Sequence, residues 1–139
     1  MKHLKFAGLL LVACMLVNGG SALAGDTDPL FVNMTTDDAY RSTLAITVAS
    51  RMFERGHPLT IFFNDRGIFV TSRKNGEQFK EQQSMLTALA KAGVTLLACP
   101  NCMKHYGIEE SDLLEGIKVG NAVITGDALF QDDTKTLSW

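Results

Sequence analysis

The chain has 139 residues, of which 46% are hydrophobic and 20% charged, and its 13 Lys and Arg against 15 Asp and Glu give a formal net charge of −2. This length predicts one domain, and the composition excludes a wholly disordered chain. The near balance of charge offers no electrostatic footprint for nucleic acid, and three cysteines are too few for a disulfide-dense scaffold.

The first 24 residues have the three parts of a secretory signal peptide. A basic start with two lysines precedes an apolar run at 6–17, and Ala22 and Ala24 then form an A-x-A cleavage site. The apolar run is too short to span a bilayer comfortably. We therefore predict a cleaved signal peptide at 1–24 and a single mature domain at 25–139, periplasmic or secreted.

The predicted processing decides which cysteines the mature chain keeps. An alternative is lipidation, because the segment ending at Cys14 resembles a lipoprotein cleavage box, although apolar residues continue past it to Val17. Cleavage after Ala24 leaves 11 basic and 15 acidic residues, a formal charge of −4, and the pair Cys99 and Cys102. No other run is apolar enough to span a membrane, and the expected compartment is oxidising.

The mature chain opens with a predicted strand, a helix and a second strand. Residues 30–34 form a short apolar run, and 35–38 supply capping groups, so the acidic pair there is better explained as helix caps than as a catalytic pair. Apolar residues then recur at helical spacing until Gly56, which is typical of a helix end. The predicted face of this helix comprises Leu44, Val48 and Met52, beside Ala45 and Ala49.

The remaining patterns continue the alternation. Residues 59–63 are apolar without clean alternation, which is typical of a strand buried on both faces. A turn follows at 64–67, and 68–70 fits either a short helix or an extension of the strand. The order predicts an α/β domain with three layers: a five-stranded, mainly parallel sheet with helices on both faces. The later predicted elements are a helix from about Phe79 to Gly93, a strand at 94–98, a short helix from Cys99 to Gly107, a short helix at 109–114, a strand at 117–119, a helix from Asn121 to about Phe130, and a strand at 136–139.

Cys99 is the strongest candidate nucleophile. It follows the third predicted strand, and the carboxyl ends of parallel strands border the ligand crevice of an open sheet. Pro100 suits the first helical turn because it needs no N–H partner there. Backbone N–H groups at a helix start stabilise a thiolate, and Lys104 and His105 add positive or protonatable groups nearby.

Two other interpretations of the C-x-x-C pair stay open. A local disulfide between Cys99 and Cys102 would be purely structural, although so short a loop contributes little chain entropy. We predict no metal or other cofactor; the alternative is a soft-metal or zinc site formed by Cys99, Cys102 and His105.

Three further side chains are candidate supports for the cysteines. Asn64 and Asp65 follow the second predicted strand, so they either line the same crevice as Cys99 or form an ordinary turn. Tyr106 either covers the thiol or simply packs. His57, beside a proline at a strand start, is expected to be a structural edge residue.

The chain resembles the DsrE/DsrF-like family, which includes small sulfur-relay subunits of the TusD type. The resemblance extends from about Leu30 to Trp139 and depends on several segments together. These are the opening strand with Thr35–Asp38 and an Ala-rich helix, the stretch Glu54–Gly67 that is similar to the family's G-h-x-v-x-l-f-l…d-G pattern, and Gly93–Val94 leading through a strand to Cys99 and on to Gly107.

The resemblance implies a five-stranded, mainly parallel sheet and a homo-oligomer, a trimer or a hexamer. In sulfur-relay members a cysteine at the position of Cys99 accepts sulfane sulfur as a persulfide, and Cys102 matches a second cysteine of some members. Many relatives have Arg where Tyr106 precedes Gly107, so Lys104 or His105 would have to supply the positive charge.

The leading hypothesis is an exported sulfur-handling protein, a possible sulfurtransferase or sulfur carrier. Cys99 would accept sulfane sulfur from small sulfur compounds or thiols and transfer or release it, with help from Cys102. One alternative is a thiol-disulfide redox protein that uses the same two cysteines. The other is a non-catalytic module that binds a soft metal or a partner protein.

Overall fold

The computed structural model describes residues 25–139, and the predicted signal peptide at 1–24 lies outside the described residues. Five strands form one sheet in the order β4-β3-β2-β1-β5, and every neighbouring pair is parallel. The predicted α/β class and five-stranded sheet are confirmed. The strands are β1 Leu30–Met34, β2 Leu59–Phe63, β3 Thr95–Ala98, β4 Ile117–Val119 and β5 Lys135–Ser138, and the helices are α1 Ala39–Glu54, α2 Lys80–Lys91, α3 Pro100–Tyr106 and α4 Ala122–Leu129.

One face of the sheet carries the hydrophobic core, packed against α1 and α2. Alternate residues of the central strands point into it, and helix α2 contributes two leucines. Burial of this apolar surface is the main stabilising contribution to the domain. The core members from the sheet and α2 include Val32, Met34, Ile61, Phe63, Leu96, Ala98, Leu86 and Leu89.

The buried face of α1 differs from the one predicted. Leu44 is 38% exposed, so the predicted Leu44–Val48–Met52 face is not the one fully buried. Ala45 and Ala49 are buried as expected, and small side chains let the helix axis approach the strands closely. The predicted row with Leu44 and the buried row with Ile46 both have helical spacing, so only packing against the sheet selects between them. The fully buried positions of α1 are Ser42, Ala45, Ile46 and Ala49.

The topology places α4 on the opposite side of the sheet. The connection from β4 to β5 runs from one edge of the sheet to the other, so a right-handed crossover places α4 on the face that α1 and α2 leave free. Phe31 and Phe62 lie on this face with their ring centroids 6.2 Å apart, and Leu97 is fully buried there. Helices on both faces make the predicted three layers. No residue of α4 itself is fully buried.

Short 3₁₀ segments replace two predicted elements. Residues 68–70 lie within a 3₁₀ helix at Asp65–Thr71, which resolves their ambiguity, and the predicted helix at 109–114 is a 3₁₀ turn at Glu110–Asp112. The left-handed φ of +97° at Gly56 ends α1, as its sequence position indicates. Within the described part of the chain, no helix is both long and apolar enough to cross a membrane.

Candidate functional site

The loops that follow β1, β2 and β3 meet at the carboxyl edge of the sheet. The loops after β2 and β3 continue the strand pairing for one more residue, because Asn64 donates its N–H to the Met34 carbonyl over 2.9 Å and Cys99 donates its N–H to the Phe63 carbonyl over 2.9 Å. These bonds fix where the chain turns away from the sheet. Parallel strands therefore bring residues far apart in sequence to one edge, as expected for a ligand-binding crevice.

Cys99 is the N-cap residue of α3. Its backbone is extended, and its Sγ accepts the N–H of Cys102 over 3.3 Å, which gives one of the free donors of the helix start a partner. Pro100 occupies the first turn of α3, as predicted. Both cysteines are half-buried free thiols. A half-buried sulfur with a backbone N–H donor can act as a nucleophile.

Cys102 has a different environment from Cys99. Its Sγ accepts the backbone N–H of Asp65 over 3.1 Å, from the loop after β2. Burial of the thiol, followed by its hydrogen bond to Cys99, raises the pKa of Cys102 from 9.0 to about 11. At neutral pH Cys102 is therefore a protonated thiol that can donate its S–H to the neighbouring sulfur.

Asp65 is fixed in place by its backbone and by its side chain. Its φ of +44° lies in the left-handed region, which Asp and Asn tolerate better than most residues. Its Oδ1 accepts the hydroxyl of Tyr106 over 2.7 Å, and this hydrogen bond to the carboxylate raises the pKa of Tyr106. The Tyr106 ring also packs against Phe69, with centroids 4.9 Å apart. A clamp defined by Asp65 and Tyr106 thus joins the loop after β2 to α3.

An ion pair across the same edge was not predicted. Arg66 donates to both carboxylate oxygens of Asp37, Nε to Oδ1 over 2.9 Å and Nη2 to Oδ2 over 2.5 Å. The hydrogen bond lowers the pKa of Asp37 and raises that of Arg66. The helix-cap role predicted for the acidic pair belongs to Asp38, which accepts the Arg41 N–H over 2.8 Å. The only available sequence signal was that Asp37 and Arg66 both follow predicted strands.

The other predicted supporting residues, Asn64, Lys104 and His105, are not among the described hydrogen-bond partners of the two sulfurs. Asn64 donates from its side chain to that of Asn33, so it braces the edge of the sheet. Lys104 and His105 lie exposed in the last turn of α3, whereas Cys99 lies before the first turn. Among the described residues, hydrogen bonds to the two sulfurs come from backbone N–H groups and from no Lys, Arg or His side chain.

Within residues 25–139 no three His, Cys, Asp or Glu side chains converge as metal ligands. The fold therefore does not bring Cys99, Cys102 and His105 together as the alternative metal site. The His105 ring instead lies edge-on to Tyr106, with centroids 4.6 Å apart. At the opposite edge of the sheet, His57 pairs its Nδ1 with the Asp28 carbonyl over 2.8 Å, the structural position expected of it.

Comparison with known proteins agrees with this architecture. The profile of the DsrE/DsrF-like family matches residues 30–135. The fold resembles a protein of unknown function, MTH1491 from Methanobacterium thermoautotrophicum, at 20% identity and a TM-score of 0.68, covering 81% of this chain and 99% of that one. It also resembles the ychN protein from E. coli at 21% identity and a TM-score of 0.67, with the same coverage. A search of functionally curated proteins finds no match.

Proposed function

Because the chain belongs to the DsrE/DsrF-like family, a family linked to sulfur relay, we propose that it handles sulfane sulfur and that Cys99 is the residue that accepts it. The observation that carries the proposal is the placement of Cys99. Its half-buried sulfur lies at the end of a central strand and accepts a backbone N–H at the start of α3. Thiolate attack on sulfur needs no organic cofactor.

The first step is a substitution at the outer sulfur of a donor. The Cys99 thiolate attacks the terminal sulfur of a hydropersulfide R–S–SH, a new S–S bond forms, and the donor's S–S bond breaks. The thiolate R–S⁻ leaves with the electron pair, and the protein holds Cys99–S–SH, which ionises to the persulfide anion. The proton and charge balance without an external oxidant, because the sulfane sulfur already carries the oxidising equivalent.

Cys102 is the proposed resolving thiol. In its protonated form it first donates a hydrogen bond towards Cys99, consistent with its raised pKa. It then attacks the Cys99 sulfur, giving the Cys99–Cys102 disulfide, and HS⁻ leaves with the Cys102 proton. A second cycle requires an external dithiol, which is itself oxidised to a disulfide as it reduces the pair. Transfer of the outer sulfur to an acceptor thiol instead returns Cys99 directly to its starting state.

The test is intact-mass measurement of reduced mature protein after incubation with cysteine hydropersulfide. We expect one added sulfur, about 32 Da, which is lost on treatment with a thiol reductant and absent from Cys99→Ser. Cys102→Ser is the matched variant, and it should retain the adduct for longer because the resolving thiol is gone. An unmodified wild type, or an undiminished adduct on Cys99→Ser, would refute the proposal.

A thiol-disulfide redox function is the second candidate, favoured by the hydrogen bond from the Cys102 N–H to the Cys99 sulfur, which holds the two residues together. It predicts a defined reduction potential and exchange with small dithiols. Alkylation of protein taken directly from cells separates the two functions. A persulfidated Cys99 favours sulfur transfer. A Cys99–Cys102 disulfide forms in both functions, so it favours redox exchange only if the reduced protein releases no sulfide when cysteine hydropersulfide is added. Stoichiometric metal, lost in both Cys99→Ala and Cys102→Ala, would instead favour the binding module.

We also propose that the chain forms a homo-oligomer, a trimer or a hexamer. The support from the described residues is α4, an apolar helix with no fully buried residue. Val123 in α4 is 68% exposed and Phe130, its C-cap residue, is 83% exposed; two such exposed apolar side chains on one short segment are typical of a surface that packs against another chain. The proposed location, periplasmic or secreted, is supported by the sequence of residues 1–24.

A further inference from the structure

The candidate site holds a negative charge beside its sulfurs. Asp65 touches Cys102 through its backbone N–H, 3.1 Å from Sγ, and its carboxylate is tied to the Tyr106 hydroxyl. Because both ends of the residue are held, the carboxylate does not rotate freely away from the cysteines. Its charge is also one of the factors that raise the pKa of Cys102.

In the described part of the chain, Arg66 is the cationic side chain next to this carboxylate. It attracts the Asp65 carboxylate, but it also binds Asp37 through Nε and Nη2, so Asp65, Asp37 and Arg66 together keep one net negative charge. Lys104 and His105 project from the last turn of α3, about 7 Å or more along the helix axis from Cys99. In the described chain, neither sulfur accepts a hydrogen bond from a cationic side chain.

We propose that this site accepts sulfur from neutral or singly charged hydropersulfides and discriminates against dianionic donors such as thiosulfate, an inference that rests on the proposed function. Attack on thiosulfate would form Cys99–S–S⁻ and release sulfite, SO₃²⁻, so two negative charges must approach and then leave beside Asp65. Attack on a neutral hydropersulfide, as written above, releases a single thiolate. The repulsion from Asp65 is larger for a doubly charged donor than for a neutral or singly charged one, which favours the hydropersulfide.

The experiment compares rates of adduct formation on Cys99 from thiosulfate and from cysteine hydropersulfide. The amino and carboxylate charges of cysteine hydropersulfide cancel, so this donor carries at most the single charge of its own S–SH group. Asp65→Asn removes the charge and suits the left-handed backbone, so the N–H that contacts Cys102 is kept. Glu115→Gln also removes one negative charge and serves as the matched control, because Glu115 lies at the amino end of β4, whereas Asp65 follows the carboxyl end of β2. Circular dichroism checks that each variant is folded.

We expect Asp65→Asn to raise the thiosulfate rate roughly tenfold at low ionic strength while changing the hydropersulfide rate much less. The wild-type thiosulfate rate should also rise with added salt, because Asp65 is exposed and salt screens its repulsion. Glu115→Gln should match wild type with both donors. The salt series uses the unmodified chain and does not depend on any variant folding.

Two kinds of negative result are distinguishable. If neither donor modifies Cys99, the proposed sulfur-handling function fails. If both donors modify Cys99, but the thiosulfate rate is unchanged in Asp65→Asn and falls or stays constant with salt, the function stands and the inferred donor selectivity is wrong.

Discussion

The surroundings of Cys102 predict how much of its thiol is ionised at a given pH. With a pKa of about 11 instead of 9.0, the thiolate fraction of Cys102 at pH 8 falls from about one tenth to about one thousandth. Alkylation proceeds through the thiolate, so Cys102 should react with iodoacetamide roughly a hundredfold more slowly than an ordinary cysteine. Site-resolved mass spectrometry across pH 7–10 measures this rate without interference from Cys99.

Removing Cys99 tests the cause of the shift. Burial is the largest contribution to the raised pKa of Cys102, and the hydrogen bond and charge of Cys99 come after it. Cys99→Ala should therefore bring the pKa of Cys102 only part of the way back from about 11 towards 9.0, and it should speed alkylation of Cys102 by roughly tenfold or less. Cys99→Ser, which keeps a hydrogen-bond acceptor but no thiolate, should fall between. An alkylation profile with its inflection near pH 9 in wild type would refute the reasoning.

Three other predictions concern stability and assembly. Gly67→Ala should lower the free energy of unfolding by about 2 kcal/mol or more, seen in urea denaturation, because a Cβ at Gly67 would lie 2.2 Å from the Met34 carbonyl oxygen. Asp37 has a lowered pKa through Arg66, so its contribution to stability is present above pH 3.8 and lost as pH falls through the lower folded value. Asp37→Asn should therefore cost at most about 1 kcal/mol at pH 7 and flatten the stability profile below pH 4, measured by urea titration; an unchanged profile would contradict it. Val123→Asp should shift the molar mass from light scattering towards the monomer, and a monomeric wild type at micromolar concentration would overturn the proposed oligomer.

The sequence was sufficient for the five strands, the four α-helices and their order, but not for the 3₁₀ segments. Runs such as 30–34, 59–63 and 117–119 match the observed strands residue for residue, because short apolar segments bounded by turn residues carry a local signal. Gly56 and Gly107 end their helices with left-handed φ, and Pro100 begins one. Each of these features depends on a residue's own conformational preference, which does not change with the rest of the fold.

The position of Cys99 followed from the same local signals. A strand, a cysteine and a proline in succession predict a thiol at the start of a helix, and Cys99 is the N-cap of α3. Its role as the sulfur acceptor stays a prediction. The prediction of which face of α1 is buried was wrong at Leu44. Two rows of residues, one with Leu44 and one with Ile46, both have helical spacing, and only contact with the sheet distinguishes them.

Local preferences gave the strands, the helix ends and the place of Cys99 in the chain, whereas the chemical surroundings of the thiols came from tertiary structure. Asp65 lies 37 residues from Cys102 and 41 from Tyr106, and Arg66 lies 29 from Asp37. No local pattern encodes such pairs, because they exist only once parallel pairing in the order β4-β3-β2-β1-β5 aligns the strand ends. Strand order and register result from burying all the apolar surfaces together, which is a property of the whole chain.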